Sequence, residues 1–365
     1  MSSWRVATHT FPDLDALSAS AAVFWIVGQE DPTTLLFWDG AGDPPLRHDP
    51  GSGDVIVDIG GANAFDHHHL PDPRSTCAFA LVVDFFAASE NESFRARAQS
   101  LIPLKPALLR QDRTGALFSR DDDDRVSIAN ALRALAWQES DDAATWRWFF
   151  PVLTTIFSSV AQSPQDVESL LSWRTVAHLM RTHGNAETAE RIGDALERQL
   201  MLRAEVRSNP ALLLPLLTDL HVLRDPPLVA YACESVVGAW TPVLHDREAL
   251  AALFPHAAVL ISQKRWMDRT GGDRTWSLNV GRALTDSGRL IDVPILHRLL
   301  CADDRLPAPI RSDMATWYVE SWFCGRGSLK RPTLRPPPHA FILETVRSMT
   351  RMDRSVFAER VRRTR

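Results

Sequence analysis

Three short apolar runs near the N-terminus constrain the fold of this chain most strongly. Residues 4–8, 35–38 and 54–58 have the length and the β-favouring composition of strands. Residues 16–27, between the first two runs, form an Ala-rich apolar segment that is long enough for a buried helix. Strands that alternate with helices predict an α/β fold with an N-terminal, doubly wound, mainly parallel sheet.

Acidic and histidine residues follow two of these predicted strands. His9, Asp13 and Asp15 come after the first strand, and Asp58 ends the third. Ligands of α/β sheets gather at the carboxyl ends of the strands, so we expect these side chains to share one pocket. The alternative to a functional role is helix capping, because Pro12-Asp13-Leu14-Asp15 is also a good helix start, in which aspartates cap the helix.

The run Asp66-His67-His68-His69 is the most specific signal in the sequence. Neutral imidazoles need partners when they are buried, so three consecutive histidines are poor core residues. We expect one of them to bind a metal and another to contact the substrate or a second metal, with Asp58 or Asp66 as the carboxylate ligand. Oxygen and nitrogen ligands in this proportion suit Mn²⁺, Mg²⁺ or Fe²⁺.

Composition narrows the class of protein. The 365 residues carry a formal net charge of −5, which argues against a chain that coats nucleic acid by charge alone. The four cysteines form no C-x-x-C pair, so a zinc ribbon or a disulfide framework is not indicated. We find neither a secretory signal nor an apolar run long enough to span a bilayer, and we expect a soluble, cytoplasmic protein.

The rest of the chain suggests further regions. We expect a metal-binding domain over residues 1–125, a helical region over 126–250, a smaller C-terminal α/β domain over 251–340 and a basic helix over 341–365. Local expectations include a helix over 76–88 with Ser75 as N-cap, a helix over 228–240 and an extended segment over 289–297. The run Asp121-Asp122-Asp123-Asp124 is interpreted as a solvated loop or a helix-capping cluster.

The order of the acidic and histidine motifs resembles the DHH phosphoesterase superfamily, which is named for its Asp-His-His signature. The matching motifs are Thr8-His9 with Asp13-Leu14-Asp15-Ala16, then Asp58, then Asp66-His67-His68, and more loosely Gln111-Asp112-Arg113-Thr114-Gly115. The short span from Asp58 to Asp66 is similar to the MYG-type branch. The resemblance covers roughly residues 4–118.

The resemblance implies a site with two Mn²⁺ ions, with Mg²⁺ or Fe²⁺ as alternatives. Under it, His9, Asp13, Asp58 and Asp112 are ligands of one metal or bridge two, Asp15 and His67 serve the other, and His68 approaches the phosphate. His68 and Asp66 are the expected catalytic residues. The implied activity is a phosphohydrolase that uses a metal-activated hydroxide.

Substrate binding is assigned to a basic segment near the C-terminus. Residues 325–365 contain eleven Lys or Arg residues against three Asp or Glu residues. By analogy with the substrate loop of the superfamily, Arg326, Lys330 and Arg331 would bind phosphate, although the segment lacks a Gly-Gly-Gly-His pattern. A solvated surface helix is the alternative for this basic region.

The expected activity is that of a phosphodiesterase acting on a nucleotide or a short oligonucleotide, without a membrane partner. A tiny substrate such as pyrophosphate would not require the extra helical and basic regions. The competing hypothesis is a non-catalytic regulatory protein that binds a nucleotide or another protein. The helical region is a candidate surface for a homo-oligomer or a protein partner.

Overall fold

A computed structural model gives the fold. It describes residues 3–10, 12–38, 43–118, 121–139, 141–164, 167–216, 218–224, 227–236, 247–255, 257, 259–267, 273–282, 292–308, 311–312, 318–319 and 323–326. The chain divides into two compact units, Met1–Leu200 and Met201–Arg365. No helix in the described ranges is both long enough and apolar enough to cross a membrane.

The first unit contains the expected parallel sheet. Its strands are β1 (Arg5–His9), β2 (Leu35–Trp38) and β3 (Asp54–Ile56), in the order β2-β1-β3. Both neighbours of β1 run parallel to it. Helix α1 (Leu14–Val27) follows β1, and almost every side chain along it is buried, as its apolar composition predicts. The α/β class expected for this region is confirmed.

The remaining helices of this unit follow in sequence. They are α2 (Ala78–Ala87), α3 (Glu92–Leu101), α4 (Lys105–Thr114), α5 (Asp121–Arg125), α6 (Ile128–Gln138), α7 (Asp142–Gln162), α8 (Val167–Leu170), α9 (Trp173–Thr182) and α10 (Ala186–Ser208). The helical character expected after residue 126 is confirmed as far as Ser208.

One hydrophobic core joins the sheet to these helices. It extends from Val6 on β1 to Leu196 on α10. Phe24 of α1 packs against Trp146 and Phe150 of α7, with ring centroids 6.1 Å apart in both pairs. Helices α6–α9 therefore share one core with the sheet, and the domain boundary expected at residue 125 stays a prediction.

The second unit is built on a six-stranded sheet in the order β4-β5-β6-β7-β9-β8. Only β5 and β6 pair in parallel among these neighbours. Its elements are β4 (Thr218–Arg224), β5 (Pro227–Val236), α11 (Arg247–Leu253), β6 (Val259–Met267), β7 (Asp273–Arg282), α12 (Val293–Ala302), β8 (Tyr318–Val319) and β9 (Phe323–Arg326). The α/β class expected for the C-terminal part of the chain is thus confirmed for the described residues, and the expected domain bounds of 251–340 stay a prediction.

Two local predictions in this unit are wrong. The helix expected over residues 228–240 is strand β5 over its described part, because a continuous apolar run suits a strand paired on both sides as well as it suits a helix. The extended segment expected over 289–297 contains the start of α12, whose N-cap Asp292 accepts a hydrogen bond from the amide of Ile295 at 3.0 Å. The final helix expected over 341–365 lies outside the described residues.

Candidate metal centre

The carboxyl ends of β1 and β3 bring His9 and Asp58 together, as expected for neighbouring parallel strands. His9 is the last residue of β1, and its Nε2 lies 3.1 Å from Oδ2 of Asp58. The other ring nitrogen, Nδ1, lies 2.8 Å from the carbonyl oxygen of Thr10. A carbonyl only accepts, so Nδ1 carries the hydrogen and donates it. In neutral His9 the lone pair of Nε2 therefore faces a carboxylate, an arrangement that a shared cation would stabilise.

Asp58 has an unusual backbone conformation. Its φ is 55°, in the left-handed region that non-glycine residues rarely adopt. The amide of Asp58 donates to the carbonyl oxygen of Phe65 at 2.8 Å, and the amide of Phe65 donates to that of Ile56 at 3.0 Å. These bonds hold the turn and direct the Asp58 side chain, which is 1% exposed, into the site. Strained conformations of this kind cluster at functional sites.

His67 lies between two carboxylates. Its Nε2 is 3.3 Å from Oδ2 of Asp112, and its Nδ1 is 3.7 Å from Oδ1 of Asp58. Burial acts to lower the pKa of His67, but the hydrogen bond and charge of Asp112, with the charges of Asp58 and Asp15, raise it to about 9. Nδ1 is buried and has no hydrogen-bond partner among the described residues. This nitrogen is therefore suited to bind a cation.

Asp66 orients His68. Oδ1 of Asp66 accepts hydrogen bonds from the backbone amide of His68 at 3.0 Å and from its Nδ1 at 2.8 Å, while Oδ2 accepts from the amide of Gly61 at 3.0 Å. Burial acts to raise the pKa of Asp66, but the hydrogen bonds and charge of His68 and the Gly61 amide lower it to about 2. The side chain of His68 is 45% exposed, so its second ring nitrogen can be reached from outside.

Asp13 and Asp15 have different positions at the start of α1. Asp13 is the exposed N-cap, and its Oδ1 accepts from the amide of Ala16 at 3.0 Å, so the capping alternative is correct for this residue. One carboxylate oxygen of Asp13 also lies within 4.8 Å of a ligand atom of His9 and of a ligand atom of Asp58. It can therefore cap the helix and still contribute to a metal site.

Asp15 is fully buried and contacts a different helix. Its two oxygens accept from the first two amides of α2, those of Ala78 at 2.7 Å and Phe79 at 3.0 Å. Burial, together with the charges of Asp58, Asp112 and Asp13, raises the pKa of Asp15 well above its ordinary value. Asp15 thus caps α2 from a distance and lies within electrostatic range of the other carboxylates.

The prediction of Ser75 as the cap of α2 is wrong. Helix α2 begins at Ala78, and the hydroxyl of Ser75 donates instead to the carbonyl oxygen of Asp72 at 2.7 Å. Cys77 occupies the N-cap position but makes no capping bond with its side chain. The amides at this helix end are satisfied by Asp15, which precedes them by more than sixty residues.

Two overlapping groups of candidate ligands share Asp58. Within each group, one ligand atom from every residue lies within 4.8 Å of the others; the first group is His9, Asp13 and Asp58, and the second is Asp58, Asp66, His67 and His68. These are the groups found in the described part of the chain. Asp15 and Asp112, which the family resemblance names as ligands, belong to neither group. Asp112 joins the site through its contact with His67.

The charges and donors of this site fit a divalent cation. Carboxylates from several elements surround it and raise the pKa of both Asp15 and His67. Its donors are carboxylate oxygens and imidazole nitrogens, which suit Mn²⁺, Fe²⁺ or Mg²⁺. The buried Nδ1 of His67 and the Nε2 of His9 are the nitrogens that would bind the cation.

Sequence reasoning missed two residues around the site. The thiol of Cys77 is fully buried and hydrogen-bonds to Asp15; burial, with the charge and hydrogen bond of Asp15, raises its pKa. Burial lowers the pKa of Arg133 on α6, and the nearby charges of Asp124 and Asp13 partly oppose this effect. A cysteine at the position before a helix is a weak signal for Cys77, and no local pattern points to Arg133.

The residues expected to bind substrate are only partly described. Arg326 is the last residue of β9 in the second unit. Lys330 and Arg331 lie outside the described residues. The assignment of Arg326, Lys330 and Arg331 to substrate binding stays a prediction.

No protein-family model and no curated protein sequence matches the chain. Among solved structures, the chain is similar to PggH from Vibrio cholerae, described as a pGpG-specific phosphodiesterase, with a TM-score of 0.41 and 12% identity over 89% of this chain and 92% of that one. It is also similar to the DHH domain of a protein described as a member of a family of ribosomal proteins, with a TM-score of 0.37 and 12% identity over 98% of this chain and 86% of the other.

Proposed function

We propose that the chain is a metal-dependent phosphodiesterase of the DHH kind, which hydrolyses a nucleotide or a short oligonucleotide. The observation that carries the proposal is the pair of candidate ligand groups that meet at Asp58. Two neighbouring cation sites with a shared carboxylate are a recurring arrangement in phosphoester hydrolases. Asp58 is buried and held by the backbone turn at Phe65, so its carboxylate is preorganised for this shared position.

The chain offers distinct residues for each of the two proposed cations. His9, Asp13 and Asp58 would hold one, and Asp58 and His67 would hold the other. Bound Mn²⁺, or alternatively Mg²⁺ or Fe²⁺, would lower the pKa of a water molecule and stabilise the negative charge that develops on the phosphoryl oxygens. Asp112 would orient the imidazole of His67 or add a ligand of its own.

His68 is the proposed general acid. Asp66, with its pKa of about 2, stays ionised at neutral pH and can only accept hydrogen bonds, so Nδ1 of His68 carries a hydrogen. The partly exposed Nε2 can then hold a second proton and pass it to the departing oxygen of the phosphodiester. In this scheme His68 is catalytic and Asp66 is a positioning residue that fixes the His68 ring.

The proposed substrate follows from the basic segment of the second unit. Guanidinium groups bind phosphate oxygens in pairs, and a lysine adds a point charge, so Arg326, Lys330 and Arg331 are suited to a substrate with more than one phosphate. A dinucleotide or a short oligonucleotide offers such a series. A substrate as small as pyrophosphate would not require the additional basic residues of this part of the sequence.

The proposal is tested with Asp58→Asn, because asparagine tolerates the same left-handed backbone and changes mainly the charge. Purified protein is titrated with Mn²⁺ by calorimetry and assayed with pyrophosphate, cyclic dinucleotides, short RNA and single-stranded DNA. We expect the wild type to bind Mn²⁺ and to cleave a phosphodiester, and D58N to lose both properties while keeping its circular dichroism spectrum.

Asp72→Asn is the matched control, since Asp72 is an exposed carboxylate whose Oδ1 accepts from the amide of Arg74, outside both ligand groups. D72N should behave as the wild type. Failure of the wild type to bind Mn²⁺ at micromolar concentration would favour the non-catalytic, nucleotide- or protein-binding alternative. Cleavage of pyrophosphate alone would overturn the proposed substrate.

A further inference from the structure

Three residues on α5 and α6 hold the segment that follows α4. Asp124 lies at the end of the four-aspartate run, and Asn130 and Arg133 lie on α6. Their hydrogen bonds reach Gly115, Leu117 and Phe118, directly after the helix that carries Asp112. We call Asp124, Asn130 and Arg133 the α4 clamp.

The contacts of the clamp form a continuous chain. Oδ1 of Asp124 accepts from the amides of Leu117 at 2.8 Å and Phe118 at 3.3 Å. Nδ2 of Asn130 donates to the carbonyl oxygen of Asp124 at 2.6 Å and to its Oδ2 at 3.2 Å. Oδ1 of Asn130 in turn accepts from Nη1 of Arg133 at 3.3 Å. Asp124 of the acidic run thus holds a loop through its backbone amides.

Arg133 closes the clamp on the end of α4. Its Nη2 donates to the carbonyl oxygen of Gly115 at 2.6 Å. Gly115 has a φ of 74° and ends α4, and its amide donates to the carbonyl oxygen of Gln111 at 2.7 Å. A guanidinium at this position also interacts favourably with the partial negative charge at the carboxyl end of the helix.

The same helix end carries a residue of the metal centre. Asp112 lies three residues before Gly115, in the last turn of α4, and its Oδ2 is 3.3 Å from Nε2 of His67. A helix transmits a displacement of its last turn to every side chain on that turn. Loss of the hydrogen bond from Arg133 to Gly115 would therefore also shift Asp112 relative to His67.

We propose that Arg133 is a positioning residue that holds Asp112 against His67 through the end of α4. Helix α6 then helps to set the geometry of the site. Arg133 is partly buried and uses two of its nitrogens on separate acceptors, an arrangement that the single nitrogen of lysine cannot reproduce. The consequence for metal affinity rests on the proposed function, whereas the restraint on α4 does not.

The test compares Arg133→Met with the wild type in two measurements. Hydrogen exchange of the metal-free protein reports on the amides of the last turn of α4 and of Leu117 and Phe118. Calorimetry with Mn²⁺ reports on metal affinity. R133M should exchange these amides at least about tenfold faster and bind Mn²⁺ about 10- to 100-fold more weakly, the usual effect of losing a residue that supports a ligand.

Arg191→Met is the matched control. Arg191 also joins two elements of the first unit, with Nε 2.8 Å from Oε1 of Glu139 and its guanidinium over the ring of Trp148, and these contacts within the described ranges involve neither α4 nor the clamp. R191M should lose global stability without a selective change in α4 exchange or in Mn²⁺ affinity. An equal loss of affinity in both variants would mean that R133M acts only through stability, and this would overturn the positioning role.

Further outcomes separate the two proposals. If the wild type binds no Mn²⁺, the proposed function fails. Amide hydrogen exchange in the last turn of α4 then still decides whether Arg133 holds the end of this helix. Unchanged exchange in R133M, or faster exchange with unchanged affinity, overturns the positioning role. If R133M does not fold, Arg133→Lys replaces it; lysine keeps the charge and one donor, so smaller changes in the same direction are expected, and wild-type behaviour overturns the role.

Discussion

The carboxylate of Asp15 accepts a hydrogen bond of 2.7 Å from the backbone amide of Ala78, and so fastens the start of α2 to the start of α1. The second oxygen of Asp15 accepts from Phe79 at 3.0 Å. Both contacts are completely buried. Asp15, which the family resemblance names as a metal ligand, is therefore a structural cap of α2.

Asp15→Ala should destabilise the fold strongly. The substitution leaves two buried amides without an acceptor and removes the cap of α2, so the free energy of unfolding should fall by about 2 kcal/mol or more. Denaturant unfolding in the presence of a chelator measures this loss without any contribution from bound metal. Asn91→Ala is the matched control, because Asn91 caps α3 through two amides at an exposed position. That variant should lose about 1 kcal/mol. Equal losses in the two variants would contradict a special role for the buried cap.

The proximity of His9 and Asp58 at the ends of two parallel strands could be predicted from the sequence. An apolar run followed by His9, and another followed by Asp58, locate both residues at the carboxyl edge of a parallel sheet, since neighbouring parallel strands end on the same side. The contact of 3.1 Å between their side chains follows from that rule. Residue spacing alone was sufficient here because each residue lies next to the strand that positions it.

Long-range contacts could not be predicted in the same way. The family resemblance pointed to Asp112 only through a loose motif, and it is the packing of α4 that brings this residue, in the last turn of the helix, to His67. The capping of α2 by Asp15 likewise joins residues that are far apart in the chain, whereas the local signal pointed to Ser75.

Strand β5 shows a different limit of sequence-based prediction, since a continuous apolar run has no periodicity that distinguishes a buried strand from a helix.

The stability of the metal-free protein should fall as the pH rises from about 6.5 to about 9. The folded-state pKa of His67 is raised to about 9, because Asp112, Asp58 and Asp15 favour the imidazolium over the opposing effect of burial. A raised folded pKa contributes stability that is complete below the unfolded pKa and is lost as the pH passes through the folded value.

His67→Gln should remove this pH dependence of stability, while His69→Gln, at an exposed neighbour, should keep it. Chelated protein unfolded by denaturant at several pH values provides the measurement, and parallel profiles for the wild type and H67Q would rule the explanation out.

Asp66 and His68 should act as one unit in catalysis. Asp66→Asn removes the ionised acceptor that holds Nδ1 of His68, so kcat should fall by about 10- to 100-fold. His68→Ala should cost about 100-fold or more. The double variant should be no slower than H68A, because residues that work through each other are not additive. Steady-state kinetics on the phosphodiester found in the screen measure all three. Additive losses would show that Asp66 acts separately, for example as a metal ligand, and calorimetry of D66N with Mn²⁺ would then show weakened binding.

The two glycines after Asp58 should differ in their tolerance of a side chain. Gly60 has a φ of 103°, and an added Cβ would lie 3.2 Å from both the Cβ of Ala64 and the Cγ2 of Ile56. Gly61 has a φ of 72°, and its added Cβ would meet nothing within 4 Å.

Gly61→Ala should therefore lower the free energy of unfolding by only about 1 kcal/mol, the cost of placing alanine in the left-handed backbone region, and its amide should still donate to Asp66. Gly60→Ala should lose about 2–3 kcal/mol, because crowding adds to the backbone strain, and it should weaken Mn²⁺ binding by displacing the turn that directs Asp58. Thermal unfolding and calorimetry on the two variants test this order. A larger effect of G61A than of G60A would mean that close packing around Gly60 does not set the geometry of the turn.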